Sequence, residues 1–317
     1  MTNISRLFYK ATGLMPRKEI VRTCKRIGTE LGKDCKPGDN IDLNKLRKLL
    51  TETVGAKRAK RIVIADDFDT FKNYTKSLGF DDDLAEMYFM GSKSAVLQNF
   101  KDKTILLSLR TAGEKTANAL NIVSHELEHV LFKTISPRAA IEKIYIKLRG
   151  QKFLNKYAQK YGSLLNEKNI NLQQGLLWRS QLEEGNALGG FIKYALSREG
   201  LLKQMGMDSY KALRNNLDSF VHSLMDEKDH KTNIKVLKAL RMVLKDESRA
   251  YKTGGAVERF WNKSIGISDP NATKSEIYAM LYDETLPSIK TELKKQKLER
   301  LKNIFKIKSK PPKTENV

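Results

Sequence analysis

The chain has 317 residues, of which 40% are hydrophobic and 30% charged, so it can bury the core of one large domain or two ordinary ones. This composition excludes a collagen-like or fully disordered chain. No apolar run approaches the roughly 18 residues that cross a bilayer, and the first residues lack the continuous apolar segment of a secretory signal. We expect no transmembrane segment and a cytoplasmic protein, or one that is exported without a classical signal peptide.

The net charge of +22 is unevenly distributed along the chain. Residues 1–61 carry +10, residues 62–136 carry −3, and residues 137–317 carry +15. Basic flanks of this kind favour contact with an acidic partner or with nucleic acid. The alternative interpretation is that these lysines form a solvent-exposed surface without a binding partner.

The N-terminal segment, residues 1–60, is predicted to form short basic helices. Residues 41–54 repeat apolar side chains near helical spacing, and a Pro-Gly-Asp turn precedes them. This segment is expected to contribute helices but no strand.

The next segment, residues 61–136, contains the region in which a sheet is expected. Residues 61–67 form a short β-branched run that predicts a strand. Residues 95–100 and 103–110 predict two more strands. Residues 85–91 are also predicted as a strand, although the acidic triplet before them would suit the start of a helix.

A long helix is predicted from about Glu114 to Phe132, and the chain after Pro137 is interpreted as mainly helical. We divide this remainder into a helical subdomain, residues 137–290, and a basic helix with a tail, residues 291–317. The predicted fold class is therefore α+β and mainly helical, with a small sheet, a central helix and a helical C-terminal subdomain.

The central helix carries the motif His-Glu-x-x-His. Residues four apart lie on the same face of a helix, so His125 and His129 can bind one zinc ion together. Glu126 lies beside them and can take a proton from a water on the metal. Chance would place this motif in a chain of this composition only roughly 0.003 times. The motif predicts one Zn²⁺ per chain.

The motif helix and the sheet before it resemble the zincin metallopeptidases. The resemblance implies a hydrolase that cleaves peptide bonds in a protein or peptide substrate. It also implies an edge strand that binds the extended substrate, and residues 103–110 are expected to be that strand. The sequence departs from the usual zincin pattern at Glu128, which carries a charge where that pattern is uncharged. This side chain is expected to point away from the metal.

A zinc site of this type requires a third protein ligand. No third histidine follows at short spacing, and His222 and His230 are interpreted as surface residues. A glutamate ligand on a later helix, as in the gluzincins, is therefore expected. Two glutamates stand in an E-x-x-A pattern that resembles such a ligand helix, Glu184 and Glu247.

The choice between the two glutamates stays open on sequence grounds. Glu184 resembles the ligand of aminopeptidase-like gluzincins, and the order of segments favours it; its neighbour Glu183 is a lesser candidate. Glu247 resembles the ligand of membrane-associated CAAX-type gluzincins. If Glu184 is the ligand, Tyr251 would lie on the helix that stabilises the oxyanion in that family.

The sequence thus predicts a zinc metallopeptidase whose active site lies between the sheet segment and the helical subdomain. The alternative is a basic binding or structural protein, associated with nucleic acid or a virion, in which the zincin-like fold is inactive. The basic flanks motivate this alternative, and a steep dependence of nucleic-acid binding on salt would support it.

Overall fold

The computed structural model describes residues 11–36, 38–91, 93–99, 102–139, 225, 230–267 and 273–308. The chain forms two compact units. The first unit comprises Met1–Gln151 and Asp246–Met280, and the second comprises Lys152–Lys245 and Leu281–Val317. Residues 246–280 of the predicted helical subdomain therefore belong to the unit that contains the sheet.

The described residues are mostly helical, with one small mixed sheet, so the structure is α+β and mainly helical. None of the described helices has both the length and the apolar character required to cross a bilayer. In chain order the elements are α1 (Arg17–Gly32), α2 (Leu43–Val54), α3 (Ala56–Ala59), β1 (Ile62–Ala65), α4 (Phe68–Lys76), α5 (Asp82–Gly91), β2 (Ser94–Gln98), β3 (Ile105–Leu109), α6 (Thr116–Ile135), α7 (His230–Ser264) and α8 (Lys274–Lys308).

The sheet has the strand order β1-β3-β2, with β1 parallel and β2 antiparallel to β3. The three predicted strands at 61–67, 95–100 and 103–110 are confirmed. The prediction that 103–110 forms the edge strand is wrong, because β3 is central and all five of its residues are buried. A strand that is covered on both faces carries a continuous apolar run, whereas a half-exposed strand alternates apolar and polar residues.

Helices cover both faces of this sheet. On one face, Val96, Leu107 and other strand residues share an apolar core with α1, α2 and α6. On the opposite face, Leu106 and Ala65 pack with residues of α4 and α5. The sheet therefore separates two helical layers, and α6 lies directly on the first of its faces.

Residues 85–91, predicted as a strand, form the second half of helix α5 instead. Ala85 and Phe89, four residues apart, are buried on the sheet, while Glu86 and Met90, each one residue further along, are exposed. This is the period of a helix and not of a strand. Acidic residues at the start of α5 interact favourably with the helix dipole, as the sequence had suggested for this triplet.

The helices predicted at 41–54 and 114–132 are confirmed as α2 and α6. Asp42 begins α2, because its side chain accepts hydrogen bonds from the backbone N–H groups of Asn44 and Lys45. In α6, 15 of the 20 residues are buried. Such extensive burial is typical of a central helix that is surrounded by other elements.

In the second unit, the N-terminal part of α7 packs against α8. Nδ1 of His230 lies 2.8 Å from Oε1 of Gln296, and the Asn233 side chain donates to the same oxygen over 3.2 Å. The ring of His230, predicted to be at the surface, is therefore partly exposed and hydrogen-bonded, and His222 lies outside the described residues.

Candidate metal centre

Helix α6 brings the three residues of the motif together in the first unit. The rings of His125 and His129 lie one turn apart with centroids 5.1 Å from each other. One ligand atom from each histidine and one from Glu126 lie within 4.8 Å of one another, and all three residues are buried. This arrangement follows directly from the four-residue spacing and suits a single metal ion.

Helix α7 adds a second carboxylate to this group. Glu247 is 4% exposed, and each of its two carboxylate oxygens faces one imidazole. Oε2 lies 3.3 Å from Nε2 of His125, and Oε1 lies 3.2 Å from Nε2 of His129. The Glu247 carboxylate thus contacts both imidazoles, with one oxygen for each ring.

These distances lie within the range of an ion pair and also close to the separation of two ligands of one metal ion. A charge-assisted N–H···O hydrogen bond is about 2.7–2.9 Å long, which is shorter than either separation here. Two nitrogen or oxygen ligands of one tetrahedral zinc, each about 2.0–2.1 Å from it, lie about 3.3 Å apart. The separations of Glu247 from the two histidines are therefore compatible with a shared metal ion.

The carboxylate of Glu126 is held from the sheet side. Ser94, the first residue of strand β2, donates a hydrogen bond from Oγ to Oε1 of Glu126 over 3.0 Å. Oε1 of Glu126 also lies 3.9 Å from Nε2 of His125. The hydroxyl orients the carboxylate beside the imidazoles, where a proton acceptor for an attacking water would have to stand.

Strand β2 is an edge strand of the described sheet and lies next to this group. Lys93 and Asn99, just outside the strand, hydrogen-bond towards β3, so by the two-residue period the backbone groups of residues 94, 96 and 98 face the other way. Among the described residues no strand pairs with that edge, although Lys133 Nζ donates to the carbonyl of Val96 over 3.2 Å.

Tyr251 lies one helical turn after Glu247 and contacts the site through its ring. The ring meets the His125 imidazole edge-on with centroids 4.4 Å apart. Its other side stacks on Tyr278 with a centroid distance of 5.3 Å and an interplanar angle of 24°. These contacts fix the His125 ring from the α7 side, whereas the predicted role of the Tyr251 hydroxyl at an oxyanion stays a prediction.

Close packing of small residues allows α7 to approach α6. A Cβ atom on Gly254 would lie 2.8 Å from the backbone oxygen of Asn121 and would also clash with the amide oxygen of that side chain. A Cβ atom on Gly28 of α1 would clash with the Ser124 hydroxyl of α6. The two glycines therefore permit helix separations that larger residues would prevent.

Glu128 faces away from the imidazoles, as predicted, and is completely buried. Arg17 of α1 donates to its Oε1, and Thr253 of α7 donates to its Oε2 over 2.7 Å. This carboxylate is therefore part of the contact between three helices. Glu128, at which the sequence departs from the usual zincin pattern, therefore has side-chain partners that the sequence analysis missed.

A basic cavity of about 350 Å³ lies beside these helices in the first unit. Burial and the neighbouring charge of Arg17 lower the pKa of the half-buried Arg249 guanidinium in its wall. Positive charges gathered in one cavity favour an anionic occupant. The lining residues are Arg17, Lys18, Val21, Lys25, Arg249, Lys252 and Thr253.

Of the predicted site residues, the structure brings together His125, Glu126, His129, Glu247 and Tyr251. Glu184, together with Glu183, lies outside the described residues. The sequence analysis missed Ser94, Arg17 and Thr253. No local pattern marks these residues, because each contacts the motif helix from a distant part of the chain.

Comparison of the chain with protein-family models, with curated proteins and with solved structures gives no match.

Proposed function

We propose that this protein is a zinc-dependent metallopeptidase in which His125, His129 and Glu247 bind the metal. The observation that carries the proposal is the position of the Glu247 carboxylate, 3.2–3.3 Å from both imidazole Nε2 atoms. Two histidines and one glutamate form the ligand set of many catalytic zinc sites. The resemblance of the motif to the zincins supports the same function.

Bound zinc would supply Lewis-acid chemistry, which lowers the pKa of a water and polarises a substrate carbonyl. The residues of the chain supply the rest of the reaction. Glu126 accepts a proton from the attacking water and delivers it to the leaving nitrogen. Ser94 holds Glu126 in the orientation that this transfer needs. Tyr251 packs on His125 and limits the rotation of its ring.

The substrate of this proposed peptidase would bind along strand β2. As an edge strand of the described sheet, β2 can take up an extended peptide by strand addition. Ser94 begins this strand and contacts Glu126, so a peptide on this edge would pass beside the site. This places the substrate-binding role on β2 and not on the central strand β3, to which the sequence analysis had assigned it.

The first test measures zinc and hydrolysis together. The purified chain should contain near one zinc per molecule by elemental mass spectrometry and should hydrolyse fluorescent casein. Glu126→Gln should keep the zinc and lose hydrolysis by a factor of about 10² to 10⁴, the usual contribution of a general base. Glu52→Gln, which removes an exposed carboxylate elsewhere in the first unit, serves as the matched control. Absence of zinc after reconstitution, or full hydrolysis by Glu126→Gln, would contradict the proposal.

The basic cavity favours a second candidate function, the binding of a nucleic acid. In this candidate the protein is a basic binding protein, and the metal motif contributes nothing to its activity. Binding of a fluorescent single-stranded DNA should weaken steeply as salt rises if phosphates are contacted. The triple variant Lys18→Ser/Lys25→Ser/Lys252→Ser should weaken binding more than Lys290→Ser/Lys294→Ser/Lys297→Ser, which removes the same charge from exposed positions of α8.

A further inference from the structure

Arg17 connects the motif helix to the helix that carries Glu247. As the first residue of α1, it donates from Nε to Oε1 of Glu128 over 2.8 Å, and its Nη2 forms an ion pair with the same oxygen at 2.5 Å. It also donates from Nη1 to Oδ1 of Asp246 over 2.9 Å. Thr253 completes the cluster by donating to the other oxygen of Glu128.

The two acidic partners of Arg17 are the sequence neighbours of two of the three proposed zinc ligands. Glu128 directly precedes His129, and Asp246 directly precedes Glu247. The guanidinium therefore ties the backbone beside one ligand to the backbone beside another. Because the ligands come from helices far apart in sequence, contacts of this kind must fix how far α7 slides along α6.

The energetics of the cluster also favour a role in positioning α6 and α7 relative to each other. A buried ion pair is often no more stabilising than apolar residues of the same volume, because both charges lose their hydration. Stability alone therefore does not explain a fully buried carboxylate at a position where apolar residues would suffice. The planar guanidinium donates in fixed directions to two carboxylates, and this gives the contact a defined register.

We infer that Arg17 and Glu128 are positioning residues, which hold Glu247 at the distance from His125 and His129 that zinc binding requires. This inference rests on the proposed function. It assigns to the N-terminal helix a part in the metal site, although that helix supplies no ligand.

The experiment compares metal affinity with the stability of the metal-free chain. Arg17→Met and Glu128→Gln each break the pair, and Arg17→Met/Glu128→Leu replaces both charges with apolar side chains. Arg22→Met is the control, since it breaks an exposed pair with Glu19 on the same helix. Zinc affinity is measured by competition with a chromophoric chelator, and stability by thermal unfolding without metal.

Both single variants should bind zinc about tenfold or more weakly, the lower range seen when supporting contacts of metal ligands are removed. The double variant should regain the melting temperature of the wild type but not its zinc affinity, because no directional contact then links α6 to α7. If the double variant regains both, the cluster only stabilises the fold and the inference is wrong. The control should match the wild type in both measurements.

A second readout separates failure of this inference from failure of the proposed function. If the wild-type chain takes up no zinc, the proposed function fails, and NMR of the metal-free protein decides the positioning role. The chain has 4 histidines, so the ring resonances of His125 and His129 can be assigned by substitution. Glu128→Gln should shift both pairs of resonances, because Glu247 moves relative to the rings. Unchanged resonances would overturn the inference.

Discussion

Two buried carboxylate clusters lie on neighbouring faces of helix α6, and their charges are balanced in different ways. At Glu128 the carboxylate meets a guanidinium and a hydroxyl, so the cluster contains its own cation. At Glu126 and Glu247 the carboxylates meet imidazoles and the hydroxyl of Ser94. The second cluster consists of side-chain types that bind a metal cation. In our proposal, the Glu128 cluster positions the helices, and the cluster of Glu126, Glu247 and the imidazoles binds the metal.

The largest expected effect on stability follows the removal of the cation from the Glu128 cluster. Arg17→Met should lower the free energy of unfolding by about 3–5 kcal/mol, because it leaves a buried carboxylate without its partner. Arg22→Met should cost less than about 1 kcal/mol, since its ion pair is exposed. Urea denaturation of the two variants measures the difference. Equal losses of unfolding free energy in the two variants would show that Arg17 does not balance the charge of a buried Glu128.

The next effect concerns the other cluster and its metal. Glu247→Ala should weaken zinc binding by more than about 100-fold, which exceeds the usual cost of removing a supporting contact. Glu184→Ala should leave zinc binding unchanged, because the proposed ligand set is complete without it. Chelator competition measures both affinities. The reverse result, loss at Glu184 and none at Glu247, would assign the third ligand to the candidate that the order of segments favoured.

A smaller effect is expected where α6 and α7 make their closest contact. Gly254→Ala should lower the free energy of unfolding by about 1–3 kcal/mol, because the new methyl group overlaps the backbone oxygen of Asn121. Ser264→Ala, at the exposed end of the same helix, should change it by no more than about 0.5 kcal/mol. Thermal or urea unfolding compares them. A neutral Gly254→Ala would mean that the helices can separate without cost.

The smallest effect is a difference in thiol reactivity next to the Glu128 cluster. Burial, with a contribution from Glu128, raises the pKa of the Cys24 thiol well above its usual value. Burial also raises the pKa of Cys35, but this thiol is only partly covered. Since the thiolate is the reactive form, iodoacetamide at pH 8 should label Cys35 well before Cys24. Mass spectrometry follows the labelling, and equal labelling of the two thiols would contradict the prediction.

Local patterns predicted the elements of the first unit better than their arrangement. The apolar spacing in residues 41–54 and 114–132 correctly predicted two helices, because each spacing reflects one buried face. The same reasoning assigned residues 85–91 to a strand, where a helix of period 3.6 buries Ala85 and Phe89. It also placed the edge of the sheet at 103–110, since strand order depends on contacts between segments that no single segment encodes.

The same distinction between local pattern and tertiary arrangement applies to the candidate site. The motif group could be predicted from the sequence, because the spacing of His125, Glu126 and His129 fixes their geometry as soon as α6 forms. The contacts of Glu247 with both imidazoles and of Arg17 with Glu128 become visible only in the folded chain. Contacts between helices distant in sequence depend on how the helices pack, and packing depends on the whole set of neighbouring side chains.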